Sequence, residues 1–419
     1  LRVQLKATLK GTVSDMGKEN PIILVVNVGS TSLKYRLFDM RGQTCLAKGA
    51  FDRVGTARSA FSWEQKGMHG SGEINTQEGY SPCIGKMMQL ITEGDAPVIA
   101  SADEIDGVGF KAVLAGKINY PVRVTEGLYG EMEKYVFVTP AHNPPYMAVM
   151  RSFEKMLPDT PLVASFETGF HSTIPDYARV YPFPKVYRDK YGLEKYGFHG
   201  ASHSYAAWKI PQLLGRKDLR IVNCHLGGSS SLCAIKNGTS MDSSMGFSPQ
   251  AGILNNNRNG DLDVFAVLYL MEKENLSPVQ MREMLSKHRG LLGLSGISGD
   301  MRDLESSDSD NARITIEHFV YSVKKYIGAF AAEMNGIDVL SFSGGIGENG
   351  NGIRSAICRD MDYLGIRLDE EKNAALRGTL PPNGCVISSP DSMTKVLVLP
   401  TNEEWMVAMN TLRVLNGKG

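Results

Sequence analysis

Several absences narrow what this chain can be. No run approaches the roughly eighteen apolar residues a membrane helix needs. There is no excess of either charge: Lys plus Arg is 45, Asp plus Glu is 45, and the formal net charge is zero. Nothing in bulk charge draws it to nucleic acid or an acidic membrane. The six cysteines (45, 83, 224, 233, 358, 385) form no C-x-x-C pair. They read as reduced core thiols of a cytoplasmic protein, although Cys224 and Cys233 could face each other across a hairpin. There is no G-x-x-x-x-G-K-[ST], so a P-loop is excluded. The H-R-D and D-F-G set of protein kinases is also missing. His199 and His203 stand four apart, at metal-ligand spacing on a helix, but no H-E-x-x-H accompanies them. Leu1 to Pro21 carries no apolar signal-peptide core and reads as a flexible or strand-like extension.

What is present is glycine in turns between apolar runs. The 419 residues suffice for two or three domains. Residues 221–235 place Gly227-Gly228-Ser229-Ser230-Ser231 between two apolar runs. That pattern reads as a β-hairpin with a turn that bares backbone N–H groups and hydroxyls, suited to phosphate. An ordinary hairpin turn would look the same. Residues 22–38 repeat it. Aligning Gly29 with Gly228 puts Ser30 on Ser229, Thr31 on Ser230, Ser32 on Ser231 and Leu33 on Leu232. Such an echo, about two hundred residues apart, points to a duplicated domain.

Strand, glycine turn and helix alternate along much of the rest, which gives α/β architecture. Helices are expected over 83–94, 125–135, 146–156, 264–285 and 314–334. Strands are expected over 106–114, 161–166, 338–343 and 396–399. Residues 55–82 have a periodicity too weak to place. Thr401 is the expected N-cap of the last helix. Gly345-x-Gly347-x-x-Gly350 follows a strand, with Asp369 further on, and admits a dinucleotide reading and hence an oxidoreductase. That reading leaves the Gly-Ser hairpins without a task. Arg258, in a loop of small residues, could approach an anion. Asp300-Met301-Arg302 follows a glycine-rich turn suited to nucleotide contact.

Taken together, ordered blocks resemble the acetate/propionate/butyrate kinase family. Asn27–Lys34 is similar to its N-x-G-S-S-S-L-K, and Tyr196–His203 to its Y-G-F-H-G-T-S-H. His225–Ser229 resembles H-L-G-N-G, and Ser244–Asp263 resembles S-M-G-F-T-P…R-S-G-D-x-D. Gly290–Asp303, Gly344–Asn349 and Pro400–Glu404 look like further blocks. The resemblance implies two ribonuclease-H-like (actin-like ATPase) domains with an interdomain cleft. They would span 21–168 plus 402–419, on the acyl side, and 169–401, on the nucleotide side. It implies reversible, direct in-line transfer of phosphate from ATP to a short carboxylate, assisted by Mg²⁺ or Mn²⁺, usually in a homodimer.

By resemblance, Asn27 and Glu403 lie near the metal and Lys34 contacts phosphate. His225, Leu226, Gly227, Gly228 and Ser229 form the phosphate hairpin. Asp300, Met301, Arg302, Gly345, Ile346, Gly347, Glu348 and Asn349 contact the nucleotide. His199 and Arg258 stabilise the transferring phosphoryl, and His142 is an active-site histidine. Val113, Ala141, Phe198 and Pro249 line the acyl pocket. The family's G-H-R-V-V-H-G-G is here Gly109–Gly116 with Lys111 for the carboxylate-binding Arg. Its F-D-T-A-F-H has Glu167 for the orienting Asp. One side chain shortens as the other lengthens, so a compensated Lys111–Glu167 ion pair is expected. A propionate- or butyrate-preferring kinase, or a weakly active nucleotide-binding relative with a regulatory role, are the alternatives.

Overall fold

The computed structural model describes residues 20–287, 289–376 and 378–418. The expected N-terminal extension, residues 1–20, lies outside the described residues except for Asn20. The chain divides into two units. The first runs to Gly169 and takes back the C-terminal segment from Asn402; the second is Phe170–Thr401.

The first unit holds one sheet of β1 (Ile22–Val28), β2 (Ser32–Asp39), β3 (Thr44–Asp52), β4 (Ser59–Gln65), β5 (Met68–Ile74), β6 (Ile105–Ala112), β7 (Val122–Arg123) and β8 (Leu162–Phe166). Their order is β5-β4-β3-β2-β1-β6-β8-β7. The second unit holds β9 (Arg220–His225), β10 (Ser231–Lys236), β11 (Thr239–Ser243), β12 (Val339–Ser343), β13 (Cys385–Val386) and β14 (Lys395–Val398). Their order is β11-β10-β9-β12-β14-β13. In each unit three antiparallel strands lead into two parallel ones and a short antiparallel edge. The first unit adds only the β4–β5 hairpin, which occupies the stretch whose periodicity was too weak to place. The duplication implied by the hairpin echo is therefore a duplication of sheet topology.

Central strands are covered on both faces, so they read as mostly apolar runs broken by single polar residues such as Asn27, Asn223 and Ser341. β8 and β12 are buried at every position. In β6, Gly107 and Gly109 let the C-terminal helix Glu403–Leu415 lie almost on the strand. A Cβ on Gly109 would come within 2.2 Å of Thr411 Oγ1. In the second unit, the helix Asp310–Met334 buries Phe319, Val323, Ile327, Phe330, Ala331 and Met334 in the core, the stripe its 3.6-residue period dictates.

Three local expectations are corrected. The run 264–285 is not one helix but two, Val264–Lys273 and Pro278–Lys287. Asn275 adopts a left-handed conformation, φ 52°, and Pro278 cannot continue the preceding turn. The N-cap of the last helix is Asn402 rather than Thr401, its side chain accepting from the Trp405 N–H. Cys224 pairs with Leu232 and Cys233 with Asn223, so the two thiols are not opposite each other, and all six cysteines are free.

Arg354 is fully buried. It donates to the carbonyls of Gly347 (2.8 Å) and Glu348 (2.9 Å) and to Asn373 Oδ1 (2.7 Å). It thus ties down the glycine turn after β12. Arg354→Leu would leave these acceptors unsatisfied and is expected to cost about 3 kcal/mol. Urea unfolding checks this; a loss under about 1 kcal/mol would mean that water replaces the guanidinium.

Candidate active site

The first unit gathers its polar groups where the C-terminal helix begins. Residues 107, 109 and 111 of β6 share one face. Gly107 lies against Leu415 and Thr411, and Gly109 against Thr411 and Val407. Two strand residues advance about 6.6 Å and four helix residues about 6 Å, so strand and helix keep step as they run in opposite directions. The next step brings Lys111 to Glu403, to which its Nζ donates. Lys111 Nζ also lies 3.7 Å from Glu167 Oε1, just beyond the end of β8. The Lys111–Glu167 ion pair is therefore present, but Glu403 is the closer partner.

One cation serves two carboxylates, Glu167 buried and Glu403 half-buried, and the consequences are unequal. The two anions hold the Lys111 ammonium well above its ordinary value despite burial. Glu167 is raised above the ordinary carboxylate range, because burial outweighs its share of Lys111 and Glu403 adds repulsion. Both Glu167 oxygens are buried without a hydrogen-bond partner. Tyr146 completes the cluster: its hydroxyl donates to Asn27 Oδ1 (3.0 Å) and accepts from the Val28 N–H (3.0 Å). Asn27 pairs with Lys34 across β1 and β2. Val113 is buried, Ala141 is exposed, and His142 sits at the N-cap of the helix Asn143–Met156. Tyr146 was not singled out from sequence; its one signal was a tyrosine following the Asn143-Pro144-Pro145 helix start.

The folded chain holds the Glu167 proton more tightly than the unfolded chain. Its contribution to stability is full below the ordinary value of 4.5 and is lost as pH rises through the higher native one. Glu167→Gln should therefore gain on the wild type by about 2 kcal/mol between pH 4.5 and pH 8, read from urea titrations. A constant difference across that range would show the carboxylate to be fully compensated when charged.

The second unit builds its site on the β9–β10 hairpin. Its last pair is His225–Ser231, which leaves five residues, 226–230, at the tip. In the first unit the last pair is Val28–Leu33, which leaves four residues, 29–32, closed further by Gly29 N–H donating to the Ser32 carbonyl. Matched by strand pairing, the second tip is one residue longer than the first. The gapless alignment of Gly29 with Gly228 is thus corrected to one with an insertion. The loop Asn255–Arg258 clasps the longer tip. Ser230 N–H donates to Asn255 Oδ1 (2.5 Å), Asn256 N–H to the Gly228 carbonyl (3.1 Å) and Arg258 Nη1 to Ser229 Oγ (2.7 Å). A Cβ on Gly228 would approach Asn256 Nδ2 to 3.0 Å, so glycine at 228 lets that loop close in.

His199 precedes the helix Gly200–Leu214 in a left-handed conformation, φ 57°, that costs a non-glycine residue about 1 kcal/mol or more. Its Nδ1 is 2.8 Å from Ser231 Oγ on the hairpin. His203 Nε2 is 2.9 Å from the same hydroxyl. The two histidines at metal-ligand spacing thus share a serine. Among the described residues, no group of three or more His, Cys, Asp or Glu is arranged to hold a metal ion. His171 is buried between the Phe198 carbonyl (2.8 Å) and Ser240 Oγ (2.9 Å), and burial pulls it down to about 4.

Leu226 N–H donates to the Ser343 carbonyl, and the Leu226 carbonyl accepts from Ile346 (2.8 Å) and Gly347 (3.0 Å). This joins the hairpin to the turn Gly344–Asn349. Leu226 and Met301 turn their side chains into the core, so only their backbones can face a ligand. Glu348 accepts from the Gly344 and Thr401 N–H groups (3.1 Å each) and braces that turn. Asp300 caps the short helix Met301–Glu305, Arg302 is exposed, and Gly345 and Asn349 are exposed on their turn. Phe198 is buried and Pro249 half-buried. Asn223 and Asn255 were missed, since polar residues inside or beside an apolar hairpin give no periodic signal; Ser231, read as part of the turn, is instead the first residue of β10.

Two ribonuclease-H-like sheets of one topology, one with a braced phosphate-type hairpin, define a duplicated α/β fold of the kind kinases use. The acetokinase family model matches residues 22–409, and the chain belongs to that family. It is 40% identical over 402 residues to an acetate kinase of Carboxydothermus hydrogenoformans, covering 94% of this chain and 100% of the relative. It is 42% identical to one of Heliobacterium modesticaldum, covering 94% and 100%. Among solved structures, Porphyromonas gingivalis acetate kinase superposes with a TM-score of 0.85 at 34% identity, covering 94% and 100%. A Francisella tularensis propionate kinase gives 0.85 at 28%, covering 93% and 99%. The chain is an ATP-dependent phosphotransferase of the acetate-kinase type. The dinucleotide reading of Gly345–Gly350 is overturned: those glycines sit in a mixed sheet of actin-like order, not in a Rossmann unit.

Proposed function

We propose that this chain transfers the γ-phosphoryl of ATP reversibly to acetate or a near homologue, with His199 and Arg258 neutralising charge on the phosphoryl. The observation that carries this reading is that two residues remote in sequence are both hydrogen-bonded to one hairpin, His199 to Ser231 and Arg258 to Ser229. A carboxylate is already a nucleophile at neutral pH and needs no strong base. Catalysis then reduces to positioning in line and stabilising phosphoryl charge. Gly227–Ser229 and the turn Gly344–Asn349 would hold the nucleotide, and Lys34 would meet a phosphate. Lys111 would hold the substrate carboxylate, and Val113 and Ala141 of the same unit would border its alkyl group. The exposed alanine at 141 favours room for propionate beside acetate.

Asn27 and Glu403 fit Mg²⁺ or Mn²⁺. Both offer hard oxygens, and Mg²⁺ ordinarily takes one or two carboxylates with waters and substrate phosphates. The ammonium that Glu403 draws from Lys111 marks that carboxylate as cation-seeking. When bound, such an ion would supply positive charge that neutralises the ATP phosphates. A panel of C1 to C5 carboxylates with Mg-ATP, trapped as hydroxamates, tests the reading. Turnover should peak at C2 or C3. No product with any acid, beside tight ATP binding, would leave a regulatory nucleotide-binding protein instead.

We also infer a cytoplasmic homodimer. Among the described residues no helix is long and apolar enough to cross a membrane. The helix Val264–Lys273 buries none of its residues and exposes Val264, Phe265, Leu268 and Tyr269, with Phe265 at 74%. Such a stripe is the face a second copy would cover. Phe265→Glu/Leu268→Glu should convert a dimer to a monomer in light scattering; an unchanged mass would place the interface elsewhere.

A further inference from the structure

We infer that Asn223, His203 and Ser231 form a hydrogen-bonded relay that fixes the tautomer of His199, holding its proton on Nε2 for the phosphoryl. The inference rests on the assignment of His199 to the phosphoryl made above and names the positioning residues behind it.

The donors run in one direction along the chain of contacts. Ser341 Oγ–H donates to Asn223 Oδ1 at 2.6 Å, deep in the second sheet. This turns the Asn223 amide nitrogen towards His203, where Nδ2 lies 2.9 Å from Nδ1. An amide nitrogen only donates, so His203 Nδ1 must accept. His203 is fully buried, and burial together with His171 and His225 holds it far below its ordinary value, so the ring is neutral with a single N–H. That proton is on Nε2 and is donated to Ser231 Oγ at 2.9 Å. The Ser231 hydroxyl proton is then available for His199 Nδ1 at 2.8 Å. A neutral His199 that accepts at Nδ1 carries its proton on Nε2.

Every member but His199 is buried: Asn223, His203 and Ser231 have no measurable exposure. A buried relay whose donors and acceptors all match is therefore a rigid setting of polarity. It also explains the spacing of His199 and His203. The one caps the helix Gly200–Leu214 and the other lies one turn in, so both reach one hydroxyl on β10. With Asn223 turned over, every bond in the relay would reverse, and His199 would present a bare Nε2 to an anion. Orientation of this single buried amide thus sets whether the site attracts or repels the phosphoryl.

Long-range ¹H–¹⁵N correlation spectra of the full chain with labelled histidine, at pH 7, test the relay directly. The signals of His199 and His203 are assigned by their loss in His199→Gln and His203→Gln. Both rings are expected to show the neutral pattern with the proton on Nε2; protonation of Nδ1 on either ring overturns the relay. Kinetics test its consequence. Ser231→Ala should lower kcat about 10- to 100-fold, with KM for ATP and acetate within about threefold. Ser231→Thr keeps the hydroxyl and should restore most of kcat and the wild-type ring pattern. Equal kcat in Ser231→Ala and Ser231→Thr would overturn the positioning role. Wild-type kcat in His199→Gln would instead remove His199 from the phosphoryl, while the ring patterns still decide the relay.

Discussion

Arg258→Ala is expected to lower kcat by about three orders of magnitude, with KM for ATP changed less than tenfold. The guanidinium is half-buried, fixed to Ser229 at the hairpin tip by a 2.7 Å hydrogen bond, and set in a loop that clasps that tip from both sides. Its charge is therefore preorganised against the hairpin, and its effect should appear mainly where phosphoryl charge is greatest. Arg258→Lys keeps the charge but loses the planar fork and the anchoring geometry, so it should recover little. Steady-state kinetics with hydroxamate trapping decide the matter. A kcat within tenfold of wild type would mean that Arg258 only braces the hairpin.

The second large effect concerns the lysine shared by two carboxylates. Lys111→Met would strand Glu167 and Glu403, both poorly exposed, without a cation. Removing one partner of a buried ionic cluster typically costs about 3–5 kcal/mol, because the charge left behind is uncompensated. Stability should fall by that order, and KM for the carboxylate should rise about tenfold to a hundredfold as a charge-assisted contact is lost. Lys111→Met/Glu167→Gln should recover about 2 kcal/mol relative to additive single effects, measured by a double-mutant cycle in urea. Additivity within about 0.5 kcal/mol would show that Glu167 draws nothing from Lys111 and that Glu403 alone holds the ammonium.

The correlated exchange of Arg for Lys and Asp for Glu led to an expected two-residue ion pair. The structure gives a three-residue cluster in which Glu403, almost three hundred positions from Lys111, is the nearer partner. No local pattern links those positions. They meet because β6 and the last helix pack in opposite directions, with glycines at 107 and 109 allowing close approach. The same limit explains the hairpins. Their likeness was plain in sequence, but the extra residue in the second tip was not, because Gly and Ser fill both turns and align equally well without a gap.

By itself the sequence determined the α/β class, the duplication, the family and the types of side chain the chemistry requires. These follow from periodicity, turn residues and ordered motifs, which are properties of short stretches of chain. Only the tertiary structure decided which of those side chains share a proton or a charge. Ser231 serving two histidines, Asn223 setting their polarity and Lys111 divided between two carboxylates all depend on contacts between strands and helices distant in sequence. Burial, by removing water as the competing partner, gives those contacts their energetic weight.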